Sequence, residues 1–171
     1  MKRSLLINIT VFSAFVLISI FVINIINIDK HNKKIKLEKQ SLQLIDFYNL
    51  DSTQFKNNNI PNNNLISIVY FSTDCEFCQA EAIEISRNIE KFKRSKIFMI
   101  SPNSCVAINK FMNQYNLCKF NNIVFLWDKN NKFPSAFGST TFPSFYIYNL
   151  QHKLIKEYHG QVSIDQITRF L

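Results

Sequence analysis

Four cysteines in a chain of 171 residues are too few to staple a domain of this size, so a disulfide framework is excluded and the cysteines are left for chemistry. Two of them stand in Cys75-Glu76-Phe77-Cys78, but no second C-x-x-C and no paired histidines follow to complete four ligands, which argues against a zinc ribbon. A dense basic run is missing as well. The formal charge is +8, yet residues 1–40 hold seven Lys/Arg against two Asp/Glu, leaving thirteen against ten, a net +3, in residues 41–171. The basicity therefore flanks a membrane segment, and nucleic acid is not expected as a partner. No internal repeat is apparent.

What the chain does have begins with residues 5–28, about 24 residues without a charge, long enough as a helix to span a bilayer. No small-x-small cleavage site and no lipidation cysteine follows this run, so it is predicted to be an uncleaved anchor covering residues 1–28. Lys2 and Arg3 precede it while Lys30, Lys33, Lys34, Lys36 and Lys39 follow it, and a positive-inside count would hold the remainder in the cytoplasm. A very short charged N-terminus followed at once by an apolar run is instead the layout of a signal anchor, which predicts a domain on the extracytoplasmic side, the periplasm in a Gram-negative cell. Residues 29–41 form a polar, lysine-rich linker, and residues 42–171 supply a single domain with room for a real core.

The stretch around which that domain is organised is residues 66–81. Ile66, Ser67, Ile68, Val69, Tyr70 and Phe71 make a near-continuous apolar run rich in β-branched and aromatic residues, which predicts a strand buried on both faces. It ends in a short polar turn bearing the two cysteines. Beyond them Cys78, Ala82, Ile85, Ile89 and Phe92 recur at helical spacing, predicting a helix to about Arg94. Cys75 then sits in the first turn of a helix, where unpaired N–H groups and the macrodipole favour a thiolate. Cys78, one turn further in, is more buried and close enough to attack a mixed disulfide formed at Cys75.

The remaining elements follow the same rules. Residues 41–55 alternate in a way that suggests a short β-hairpin, and the Asn-rich run 57–64 is a loop. Residues 96–101 form a second buried strand broken by Pro102, and Ser104 caps a helix with Ile108, Phe111, Met112 and Tyr115 on one face. Cys105 and Cys118 bracket this helix, roughly 20 Å apart at its rise, too far to bond to each other. Residues 122–127 are a third buried strand, 128–134 a loop, and 144–149 with 153–158 a strand pair joined by a tight turn. Ser163 and Gln166 make a capping box for a last helix. Strands alternating with helices, then a hairpin and a final helix, predict an α/β fold with a central mixed sheet covered by helices on both faces.

The order of these parts resembles the thioredoxin superfamily: a strand, C-x-x-C at a helix start, then Gly138 and Pro143 before an antiparallel hairpin, then Gly160 and a terminal helix. The anchor, the preceding hairpin and Cys75-Glu76-Phe77-Cys78 followed by Glu81 are most similar to the anchored TlpA/ResA branch. The resemblance implies a thiol-disulfide oxidoreductase with Cys75 as attacking thiol, Cys78 as resolving thiol and Glu81 as proton acceptor. It implies a cis Pro143 beside the dithiol, with the backbone of Phe142 pairing to a substrate's extended chain. Protein thiols and disulfides are the implied partners, with apocytochrome c one candidate and a membrane electron donor upstream. No cofactor and no metal is implied. Asp74, Val69 and Phe77 replace the family's usual Trp, buried Asp and Pro. Asp74 and Glu76 flank Cys75 with like charge, which disfavours its thiolate and favours a reductant or isomerase partner over a strong oxidant. Two rivals share the fold: a thiol peroxidase, whose upstream Pro is here Ile68, and a metal or copper carrier, which would need His152 or His159 beside the dithiol.

Overall fold

The computed structural model of the chain describes residues 2–44 and 46–171, with the side chains of 15–37, 39–44 and 46–171. Five strands form one mixed sheet in the order β3-β2-β1-β4-β5: β1 Leu65–Tyr70, β2 Ser95–Ser101, β3 Ile123–Trp127, β4 Ser144–Tyr148 and β5 Leu154–His159. β1, β2 and β3 run parallel, and β4 and β5 join antiparallel. The period of two along a strand divides the apolar run of β1 between two cores. Val69 and the following Phe71 turn to one face, under α2 (Glu76–Arg87), α3 (Cys105–Gln114) and α5 (Ile164–Thr168). Ile66, Ile68 and Tyr70 turn to the other. That second face is covered by residues 42–60 and by α4 (Phe133–Phe137), with α1 (Lys2–Gln40) lying against α4.

Three expectations need correction. The hairpin predicted in residues 41–55 is reduced to isolated bridges, Ser41 pairing with Lys153 and Tyr48 with both Gln54 and Trp127, because the chain turns through positive φ at Asp46 and Ser52 and cannot hold a ladder there. α2 stops at Arg87 rather than near Arg94: the Asn88 amide captures the Glu84 carbonyl at 2.9 Å, the kind of local bond that competes with a helix ladder. A 3-10 turn, Ile89–Phe92, then keeps the apolar stripe on the core. Finally, the loop expected over 128–134 contains the start of α4. Buried Asp128 accepts the N–H groups of Lys132 at 2.7 Å and Phe133 at 3.0 Å, which starts a helix without an ordinary cap residue next to it. Ser104 and the Ser163/Gln166 box cap α3 and α5 as the sequence predicts.

α1 runs without a break to Gln40, so residues 29–40 are helical. Its segment Phe15–Leu37, of mean hydropathy 1.3, is the one helix among the described residues long and apolar enough to cross a membrane. The last turns dock on the domain: Ile35 Cγ2 would lie 2.9 Å from a Cβ at Gly138, a position where φ is also positive, so glycine is needed twice over. Lys39 Nζ pairs with Glu157 at 2.6 Å, and the Tyr148 hydroxyl donates to the Lys39 carbonyl at 3.0 Å, one of the last carbonyls of the helix.

Candidate active site

Cys75 is the N-cap of α2, with extended backbone angles and its sulfur accepting the Cys78 N–H at 3.3 Å. A side-chain acceptor at this position satisfies one of the helix's free donors, and when the acceptor is sulfur the same bond stabilises the thiolate. Cys75 is half-buried, Cys78 is buried, and both are free thiols. The loop leading to them is braced from β2: Asn103 Oδ1 accepts the Thr73 N–H at 3.0 Å and is itself held by the Ser101 hydroxyl at 2.9 Å. Gln79 Nε2 donates to the Thr73 carbonyl at 3.1 Å. Asn103 and Ser101 gave no signal in the sequence, because their role depends on adjacency of two parallel strands.

The Phe142-Pro143 peptide is cis, and the Phe142 carbonyl lies 3.9 Å from Cys75 Sγ. The segment is fixed by a polar network that sequence reasoning missed. Ser144 Oγ donates to the Thr141 carbonyl at 2.8 Å and lies 3.0 Å from Ser139 Oγ and 3.2 Å from His159 Nδ1. On the strand side, the Gly160 N–H donates to the Pro143 carbonyl at 2.8 Å. The Phe142 ring leans on Tyr70 at 4.7 Å between centroids, and Tyr70 in turn stacks on Phe133 at 3.8 Å.

Behind the dithiol, Glu81 is only 4% exposed, and its Oε1 has no hydrogen-bond partner. Burial pushes its carboxyl up to about 7, with Glu84 adding to the rise and the Val162 N–H opposing it. Burial also pushes the Cys78 thiol well above its ordinary range, and the neighbouring Cys75 sulfur and Glu81 carboxyl act in the same direction. Cys78 thus keeps its proton until a base takes it. Glu81 borders a cleft of about 510 Å³ between α2 and residues 161–166, which gives the carboxyl a route to water.

The histidines do not join this group. His159 contacts Ser144 and the Tyr146 ring, and His152 meets the Pro61 carbonyl. Among the described residues there is no cluster of three or more His, Cys, Asp or Glu that could hold a metal ion. Cys105 and Cys118 are free thiols, the first at the start of α3 and the second in the 3-10 turn Leu117–Lys119.

Solved structures of the same architecture are numerous, and three of them, each under 20% identical to this chain, show the likeness. DsbF of MTB, in mixed oxidized and reduced forms, superposes with a TM-score of 0.63 at 17% identity, covering 77% of this chain and 93% of that one. A secreted Mycobacterium tuberculosis disulfide oxidoreductase homologous to E. coli DsbE gives 0.62 at 18%, covering 77% and 94%. StoA from Bacillus subtilis gives 0.57 at 10%, covering 77% and 96%. A search of curated proteins by sequence returns no significant match. The fold is thioredoxin-like, and since the AhpC/TSA family matches residues 26–157, most of its length, the chain belongs to the AhpC/TSA family.

Proposed function

We propose that this chain is a membrane-anchored thiol-disulfide oxidoreductase working on protein disulfides outside the cytoplasm, as a reductant. The observation that carries the reading is Cys75 Sγ, held at a helix start by the Cys78 N–H at 3.3 Å and facing the Phe142 carbonyl at 3.9 Å. The Cys75 thiolate attacks one sulfur of a substrate disulfide, forming the mixed disulfide and releasing the substrate's other sulfur as a thiolate that takes up a proton. Glu81 takes the proton from Cys78, whose sulfur then attacks Cys75. The Cys75–Cys78 disulfide forms, the second substrate thiolate leaves, and two electrons have passed to the substrate. An extended substrate segment pairs with the backbone of Phe142 beside Pro143.

Burial of Cys78, which pushes its thiol well above the ordinary range, supports the reducing direction. A dithiol that resists ionisation gives up its electrons more readily. The apolar stretch Phe15–Leu37 supports the anchor. Apocytochrome c is one substrate that the likeness to the anchored branch suggests, and a membrane electron donor is needed to return the disulfide to the dithiol. The test is trapping with Cys78→Ala: a mixed disulfide at Cys75 with a protein substrate is expected, and insulin reduction undiminished in Cys75→Ser overturns the reading. Membership of the AhpC/TSA family favours a second reading, a thiol peroxidase. Consumption of hydrogen peroxide faster than that of protein disulfides decides for it.

A further inference from the structure

The direction in which α1 leaves the domain orients the dithiol. The lower edge of the sheet is marked by the pairing of Ile66 with Tyr148 and of Tyr148 with Leu154; the upper edge by Tyr70 with Ser144 and Ser144 with His159. Cys75 follows β1 and therefore stands off the upper edge. α1 ends at the lower edge, where Ser41 bridges to Lys153 and the Lys39 carbonyl receives the Tyr148 hydroxyl. One turn earlier Ile35 meets Gly138. Earlier still, His31 and Lys34 line a cleft that extends from Lys39 and Ser41 to Lys132 and Ser135 at the start of α4, next to Phe133 stacked on Tyr70, and α1 packs along α4. Followed backwards, α1 climbs the second face from the lower edge to the upper one, and its uncharged stretch ends at Ile28. Only three residues, about 4.5 Å of helical rise, separate Ile28 from His31.

We infer that the docked α1 holds the dithiol end of the domain toward the bilayer, so that the substrate is a disulfide presented at the membrane surface by a membrane-held protein. The inference rests on the anchored-exchange reading above. The surface of the domain agrees with it: beyond α1, the two most exposed large apolar side chains among the described residues are Phe77 at 58% and Val106 at 80%. Phe77 lies between the two cysteines, and Val106 lies at the start of α3, just past the upper end of β2. Apolar tips of this kind suit a wet but lipid-bordered interface.

The test reconstitutes the full chain in vesicles and offers one disulfide peptide on lipid headgroups through a short spacer or one about four times longer. With the dithiol facing the bilayer, the short-spacer peptide is reduced faster, by roughly eightfold, because effective concentration falls as about the −3/2 power of spacer length. Reduction of the long-spacer peptide with the short one inert means a dithiol facing away from the membrane and overturns the inference. Ile35→Asp with Lys39→Glu, which breaks the docking of α1, should flatten the spacer preference while insulin is still reduced. An unchanged preference in that variant shows that docking does not set the orientation. Release of the chain by carbonate washing removes the anchor, and with it this inference. Loss of insulin reduction in the wild-type chain removes the exchange reading instead, and inverted spacer rates with both controls intact remove this inference alone.

Discussion

On one face of the sheet, Tyr70, Phe133, Phe137 and Tyr146 form a continuous aromatic layer, with Tyr70 and Phe133 stacked at 3.8 Å and Phe133 and Phe137 at 4.3 Å. Two hydroxyls on this face find partners: Tyr146 donates to the Phe137 carbonyl at 3.1 Å and Tyr148 to that of Lys39. On the other face Cys78 and Glu81 are buried among Val69, Ala82, Ile85 and Ile167, and Glu81 Oε1 is the single buried side-chain oxygen or nitrogen without a partner among the described residues. A buried polar atom left unpaired costs on the order of 1–3 kcal/mol. The first face fixes the end of α1 and the Phe142 loop and leaves no fully buried side-chain oxygen or nitrogen unpaired among the described residues. The second keeps an unmet group on the helix of the dithiol, where the proposed exchange calls for a proton acceptor, and on that proposal the contrast separates scaffold from chemistry.

The largest effect should come from the chemical face: Cys75→Ser is expected to bring insulin reduction to the uncatalysed background with the melting temperature little changed. Next, Phe133→Ala on the aromatic face should cost about 3–5 kcal/mol of stability, read as a lower urea midpoint. Because Phe133 supports Tyr70 and through it Phe142, exchange at temperatures where the variant is folded should also slow. A variant that loses stability with exchange unaltered would show the two faces to be independent.

Glu81→Gln sharpens the contrast by a sign. The carboxyl titrates near 7 in the folded chain against an ordinary 4.5, so the folded state is the better proton binder. Below about pH 4.5 the carboxyl is protonated in both states and ionisation adds no cost; from there to about 7 that cost grows, and above 7 it is complete, about 3 kcal/mol. Glu81→Gln should therefore equal the wild type in stability near pH 4 and exceed it at pH 8, while its resolving step is slower and loses its rise through pH 7. Stopped-flow profiles of the two proteins that superimpose from about pH 5 to 9 would make Glu81 purely structural. The smallest effect is expected for Ser144→Ala, which frees the Thr141 carbonyl and Ser139. A loss of about 1–2 kcal/mol is expected, with weaker binding of extended peptides and unchanged alkylation of Cys75.

Residues 66–81 were readable because strand and helix there each obey one period, and the change of period falls at the cysteines. The end of α2 was not, because Ile89 and Phe92 stay on the apolar stripe after the helix has given way to a 3-10 turn; periodicity reports the face and is silent about the ladder. α4 was missed since its first donors are met by Asp128, four and five residues earlier, outside the window of a cap. Glu81 could be found from its spacing to Cys78. Asn103 and the Ser139–Ser144–His159 network could not, since each joins segments brought together only by the sheet.

The docking of the last turns of α1 also bears on how the domain can be taken off the membrane. Hydropathy alone would cut after the uncharged run or after the lysines, as if the two choices were equivalent. A chain starting at residue 42 would lose the Lys39 carbonyl that receives Tyr148, the cation opposite Glu157 and the side chain seated on Gly138, and would open the outer side of α4 to water. One starting at residue 29 retains all three. Thirteen residues that look like a tether by composition therefore behave as the outermost layer of the domain, and a soluble form that melts low after the shorter cut would owe its weakness to a stripped surface.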